Sequence, residues 1–231
     1  MTNWTRAIRN TVFTPKCLLC HAPASLALDL CEGCVADLPW QQHACRNCAL
    51  PLPAAGADAP CSACLQRPRF DAAIAAFAYA TPVDWLITQL KFHRRLAHAR
   101  ALGSLLAQRI TSSAPTLPDS IVPTPLHPRR YRQRGYNQAT LLARHAARAL
   151  QLPVTPHLAR RIRDTAPQMT LPASQRQHNL HAAFAADSSC CNRHIAIVDD
   201  VVTTGHTADA LAQALRHNGA ASVQVWCIAR A

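Results

Sequence analysis

Lysine is almost missing from this chain: of 24 basic residues only Lys16 and Lys91 are lysine, and acids number 12. The shortage of acids leaves a formal charge of +12, which makes an anionic partner plausible. Arginine in place of lysine supplies a planar fork that suits phosphate, although a skewed genome composition would also favour arginine and alanine. Aromatic residues make up 5% of the chain, so platforms for stacking single-stranded bases are few. No apolar run approaches the ~18 residues that a membrane span needs. The opening MTNWTRAIRNTVFTPKC is basic but has no continuous apolar core, so it does not read as a secretory signal, and a cytoplasmic location is the expectation.

What is present fits a folded protein. A chain of 231 residues with 49% hydrophobic and 16% charged residues has room for one full-sized domain and one small one. Charge is unevenly spread: ten arginines and a single acid, Asp164, lie between Ile121 and Leu180. That imbalance implies a local positive field.

Eight of the 11 cysteines fall in four Cys-x-x-Cys pairs, Cys17/Cys20, Cys31/Cys34, Cys45/Cys48 and Cys61/Cys64. Reduced thiols two residues apart can reach one tetrahedral ion, and two pairs complete a four-thiolate shell around Zn2+. Four pairs therefore suggest up to two structural zinc ions. None of the pairs is followed by glycine; His21, Val35, Ala49 and Leu65 stand there instead. Sequential and interleaved pairing are both open. His21 and His43 are read as bystanders, and a redox role for one pair is the competing reading. Too few apolar residues lie here for a core, so metal must supply much of the folding energy. Pro51 to Pro60 reads as a loop inside this module. Of the remaining cysteines, Cys190 and Cys191 lack any pattern, and Cys227 reads as a small buried hydrophobe.

Beyond Cys64 the pattern changes. Arg69 to Ala80 is an apolar extended run. Pro82 to Ile110 has helical spacing, broken near His93, with Trp85, Leu86, Leu90, Leu102, Leu105 and Leu106 as core candidates. Trp226 and Phe92 are also read as core. SIVPTP is a strand that ends at Pro125, and Asn137 to Leu152 is a helix that Asn137 caps. A strand at Ile195 to Val198, a helix from about Thr207 to His217 and a last strand SVQVWCIA follow. Continuously apolar strands alternating with helices predict an α/β fold with a parallel sheet covered on both faces. The expected division is a Cys-rich module over 1–67 and an α/β domain over 68–231.

The stretch IAIVDDVVTTGHT carries the chemistry. Ligands of open α/β sheets bind at the carboxyl ends of strands, where Asp199 and Asp200 fall. The following turn offers backbone N–H groups and the hydroxyls of Thr203, Thr204 and Thr207 at a helix N-terminus, a cradle for phosphate. Carboxylates next to such a cradle suit sugar hydroxyls on the same molecule. A ribose 5-phosphate group satisfies both halves.

This stretch resembles the phosphoribosyl-pyrophosphate loop of type I phosphoribosyltransferases. The chain as a whole is similar to the ComF family, including its GntX-type members, in the four Cys pairs, LKFHRRLA, VPTPLHPRRYRQRGYNQATLLAR, RIRDTAPQMTLPASQRQHNLHAAF, IVDDVVTTGHTADALAQAL and the ending VQVWCIAR. The resemblance implies a type I phosphoribosyltransferase-like sheet with an N-terminal double zinc ribbon. It assigns Asp199 and Asp200 to the ribose hydroxyls, and Val202, Thr203, Thr204, Gly205, His206 and Thr207 to the 5-phosphate. A pyrophosphate loop matches Leu126, His127, Pro128, Arg129 and Arg130, with Arg129, Arg130 and Arg134 placed to neutralise the leaving group together with Mg2+. Arg132 to Tyr136 or Arg163 to Asn179 correspond to a catalytic hood. His206 stands where many relatives have a small residue. The family implies a link to competence and to the use of external DNA, with single-stranded DNA or a DNA-processing protein as a further partner. Three functions stay open: a Mg2+-dependent transferase, a zinc-containing binding factor that keeps the phosphoribosyl site, and a pure interaction module.

Overall fold

The protein is described from a computed structural model, which covers residues 15–25, 28–54, 59–113, 116–163 and 183–231. Four parallel strands form the central sheet: β1 (Ala72–Ala78), β2 (Ser120–Pro123), β5 (His194–Val202) and β6 (Ser222–Arg230), in the order β1-β6-β5-β2. Their runs are apolar without alternation because both faces are covered. One face packs against α3 (Val83–Phe92), α4 (Ala97–Ser113) and α6 (Gln138–Leu150), and the other against α7 (His206–His217). A two-stranded antiparallel ribbon, β3 (Ala159–Arg161) with β4 (Phe184–Ala186), extends the second face. The sequence did not announce that ribbon.

The layers are fixed by large buried side chains. Trp226 on β6 is fully buried, as are Leu86, Leu90, Leu102, Leu105 and Leu106. Each contributes roughly 1.5–3 kcal/mol of burial free energy. Helix α4 lies so close to α6 that a Cβ at Gly103 would stand 2.7 Å from the His145 Cβ and 2.8 Å from the Leu142 carbonyl. Cys227 is buried as expected.

Two core expectations fail. Trp85 is 43% exposed and Phe92 is 67% exposed. Trp85 lies beside the His98 ring, with centroids 5.7 Å apart. Phe92 closes α3 at the surface, where the Arg134 guanidinium sits 5.4 Å from its ring centroid. Both rings are half-amphipathic in context: they pack against a polar neighbour rather than into the sheet.

Both edges of the sheet are capped. Along β1, Gln41 donates its N–H to the Ala76 carbonyl, Ala78 to that of Pro39 and Ala73 to that of Arg46, each at 2.9 Å. Trp40 adds its ring to Phe77, centroids 4.6 Å apart. Along β2, Thr155 donates to the Ile121 carbonyl and Ile121 to that of Pro153. The Cys-rich segment, with its short helices α1 (Glu32–Ala36) and α2 (Ser62–Gln66), is therefore joined to the sheet by backbone pairing. Among the described residues no helix is long and apolar enough to cross a membrane.

Candidate functional site

Strand β5 runs past Val198 to Val202, because its pairing with β6 continues to Val202↔Arg230. Asp199 and Asp200 are thus the last-but-three and last-but-two residues of the strand, not residues that follow it. Strand alternation puts their side chains on opposite faces. Asp200 is 4% exposed and shares the face of Ala196 and Val198, where Lys91 of α3 meets its Oδ2 at 3.0 Å. Asp199 is half-buried on the face of Ile195 and Ile197. Burial first, and then the charge of Asp200, pushes the Asp199 carboxyl up to about 7, while Lys91 and Thr124 pull against that shift. The two carboxylates repel each other although they leave opposite faces of the strand, and a cation or hydrogen-bond donors would let both ionise.

The turn after β5 is narrower than the sequence suggests: it spans Thr203 to Gly205, and α7 begins at His206. Gly205 caps the helix at φ 76, a left-handed conformation that costs a side-chain-bearing residue about 1–2 kcal/mol. Successive carbonyls of the turn are held from behind. Arg230 Nη1 donates to the Val202 carbonyl at 3.0 Å and to that of Thr203, and Arg69 Nη1 donates to the Thr204 carbonyl at 2.6 Å. With the carbonyls so engaged, the peptide dipoles turn their N–H ends the other way. Among the described residues no backbone carbonyl accepts from the N–H of Thr203, Thr204 or Gly205. Together with the first turn of a 12-residue helix, that is a concentration of positive potential.

The segment after β2 leaves the sheet beside Asp199, since Pro123 pairs with Val198 and Thr124 donates its N–H to the Val198 carbonyl. Only Leu126 and His127 of the expected loop are irregular. Pro128–Arg134 forms a helix, α5, which has proline at its start and the His127 side chain as cap. Proline at the first helical position loses no hydrogen bond, which is the signal that a loop reading of this stretch overlooked. Arg129 is exposed and Arg130 half-buried on this helix. Asn137 caps α6 by accepting from Ala139 at 3.0 Å, as the sequence suggests, and also donates to the Thr124 carbonyl at 2.9 Å, which fixes the exit of β2. Of the two candidate hoods, Arg132 to Tyr136 forms the end of α5 and the turn into α6, where Tyr136 donates its hydroxyl to the Leu90 carbonyl. The other, Arg163 to Asn179, lies outside the described residues after Arg163, as does Asp164.

The cysteine pairing is sequential. Cys17, Cys20, Cys31 and Cys34 form one cluster, and Cys45, Cys48, Cys61 and Cys64 another, each with ligand atoms within 4.8 Å of one another. The Cys20–Cys31 and Cys48–Cys61 sulfurs are 3.6 and 3.8 Å apart. Tetrahedral Zn–S bonds of about 2.3 Å imply S···S distances of about 3.8 Å, so both clusters fit structural zinc. Burial, and then the neighbouring thiols Cys48 and Cys61, push the Cys64 thiol well above its ordinary value. Such crowding is relieved when a divalent cation takes the protons' place. Neither His21 nor His43 belongs to a cluster.

A cavity of about 680 Å3 lies between the second cluster and the turn. Cys48, Cys61 and Cys64 form one wall, and Thr204, Gly205 and His206 another. Arg69 and Arg230 line it too, and neither arginine was singled out from the sequence. An arginine closing a buried apolar strand, as Arg230 does in VQVWCIAR, was the available signal.

The model of the double zinc ribbon domain matches residues 8–65. The DNA utilization protein YhgH of Salmonella typhimurium is 40% identical over 220 residues, which cover 93% of this chain and 96% of that protein. Its Escherichia coli counterpart is equally similar. Competence protein F of Haemophilus influenzae is 33% identical over 228 residues, 95% of this chain and 98% of that protein. Among solved structures, the glutamine phosphoribosylpyrophosphate amidotransferase of B. subtilis shares 21% identity at a TM-score of 0.37, over 54% of this chain and 24% of that one. The match thus spans about a quarter of the amidotransferase. Related along nearly its whole length to competence protein F and the YhgH proteins, the chain belongs to the ComF family.

Proposed function

We propose that this chain binds phosphoribosyl pyrophosphate with Mg2+ at the carboxyl end of β5 and transfers the phosphoribosyl group to a nitrogen nucleophile, in the use of external DNA. The turn with its carbonyls pinned from behind supports this reading, because among the described residues the N–H groups of Thr203, Thr204 and Gly205 have no backbone acceptor and can serve an anion. Val202 to Thr207 hold the 5-phosphate, and Asp199 and Asp200 accept from the ribose hydroxyls. Leu126, His127, Arg129 and Arg130 face the pyrophosphate. Both aspartates offer the hard oxygen donors that Mg2+ prefers, and an ion bound there with pyrophosphate supplies charge neutralisation to the departing group. The residues 68–231 form the ligand-binding domain, and 1–67 the zinc module.

In the resting protein Lys91 neutralises Asp200. Sugar hydroxyls reach Asp200 only when that ammonium moves aside, and the displaced ammonium is then free to meet the pyrophosphate. Titration calorimetry with phosphoribosyl pyrophosphate and Mg2+ tests the site: the Asp199→Asn/Asp200→Asn variant loses binding while its fold persists by circular dichroism. Equal affinity in the variant rejects the site. Incubation with a panel of nucleobases, followed by pyrophosphate release, tests transfer.

A second reading keeps the site as a sensor in a non-catalytic factor that binds single-stranded DNA or a DNA-processing protein. The basic helix α5 and the names of the relatives favour it. With few aromatic residues, DNA binding would rest on phosphates, so affinity for a single-stranded oligonucleotide should fall steeply with salt. Salt-independent binding would exclude that mode.

A further inference from the structure

The two four-cysteine clusters are attached to the rest of the molecule in different ways. The first leans on α4: Asp29, 5% exposed, forms a two-pronged ion pair with Arg100, whose Nε lies 2.7 Å from Asp29 Oδ2. Cys17 of this cluster and the adjacent Leu30 join the core on the α3–α4–α6 face. The second leans on the opposite face of the sheet and on the residues that lead into β1. Ala49 packs into the opposite core with Phe70 and Val202, and Asn47 Nδ2 reaches the carbonyls of Phe70 and Asp71 at 3.3 Å.

Arg230 joins that second cluster to the turn. It is 8% exposed, and among the described residues no aspartate or glutamate is paired with it. Its charge is met by main-chain oxygens: Nε donates to that of Cys48 at 3.1 Å, and Nη1 to those of Val202, Thr203 and Ala231. A buried guanidinium offers rigid, planar donors, so moving one acceptor re-aims the others. The Cys48 carbonyl belongs to a residue whose sulfur sits in the cluster, and metal coordination fixes that residue. One peptide group and one side chain therefore separate the second metal site from the Val202–Thr203 peptides.

We propose that the second four-cysteine site, and not the first, sets the shape of the turn Thr203 to Thr207 through Arg230, so that metal held by Cys45, Cys48, Cys61 and Cys64 governs anion binding in the cradle. Arg230 is a positioning residue: it acts on the ligand through the peptides it holds. The inference rests on the phosphoribosyl reading only for the identity of the anion.

The test uses the full-length, zinc-loaded chain with three variants: Cys64→Ser, Cys20→Ser and Arg230→Gln. Zinc content is measured by mass spectrometry, amide exchange over 203–207 without ligand, and affinity by calorimetry with inorganic phosphate and with phosphoribosyl pyrophosphate plus Mg2+. Cys64→Ser should speed exchange in the turn and weaken phosphate about tenfold, as expected for loss of a charge-assisted hydrogen bond. Cys20→Ser should leave the turn at its wild-type exchange rate. Arg230→Gln should reproduce the Cys64→Ser effect with both zinc ions retained, and so decides the matter even where a cysteine variant fails to fold. Wild-type exchange in Arg230→Gln, or equal acceleration in both cysteine variants, overturns the proposal. Exchange that responds as stated while phosphoribosyl pyrophosphate binds to no form would uphold the coupling and sink the phosphoribosyl reading. Unchanged exchange with tight phosphoribosyl pyrophosphate binding would do the reverse.

Discussion

Asp199 is the residue whose ionisation matters most. With its carboxyl raised from 3.8 to about 7, the folded chain keeps a proton there that the unfolded chain has released. The stabilisation is fully present below the ordinary value and is lost as pH climbs through about 7. Replacing Asp199 with asparagine removes that loss. Urea unfolding should therefore show Asp199→Asn gaining on the wild type by about 2 kcal/mol between about pH 5.5 and about pH 8. A constant difference across that range would mean that the carboxyl titrates normally. The aspartate pair was legible in the sequence because charge interrupts an apolar run, and interruption is a local signal. Its partner Lys91 was not, since nothing in LKFHRRLA indicates which strand α3 will cover. Phe92 and Trp85 were misread for a related reason. Helical spacing marks a stripe of apolar residues, but it does not say where the stripe runs off the sheet.

At the scale of elements, the helix pair α4–α6 depends on the bare Cα of Gly103. Alanine is the better helix former by roughly 1 kcal/mol, yet here its methyl would meet backbone and a Cβ that cannot swing away. Gly103→Ala should lower stability by about 2 kcal/mol in a thermal melt, and a rise would show that the two helices are free to part. The parallel strands and four of the longer helices were legible, because unbroken apolar runs and 3.6-residue spacing are properties of short windows. The far end of β5 was not: Asp199 to Val202 stay in the strand because β6 accompanies them, and pairing is a property of two segments. The β3–β4 ribbon escaped notice for the same reason, its two three-residue strands being far apart in the chain.

The whole molecule is organised around two four-cysteine clusters as much as around its sheet. Both clusters are complete, so elemental analysis of the purified chain should find close to two zinc ions; one would mean that a set of four thiols is idle. Sequence spacing disclosed the number of clusters but not the pairing, which follows from how the knuckles lie on the sheet. The covering of β1 by Pro39 to Arg46 has a further bearing on the life of the protein. Ala72–Ala78 is a strand of small and apolar residues without a single charge. Stripped of its neighbour by a chelator, it would present an unpaired template to other copies of itself. Light scattering should rise on chelation before helical content falls, and a cell starved of zinc would lose this protein first to precipitation, then to proteases.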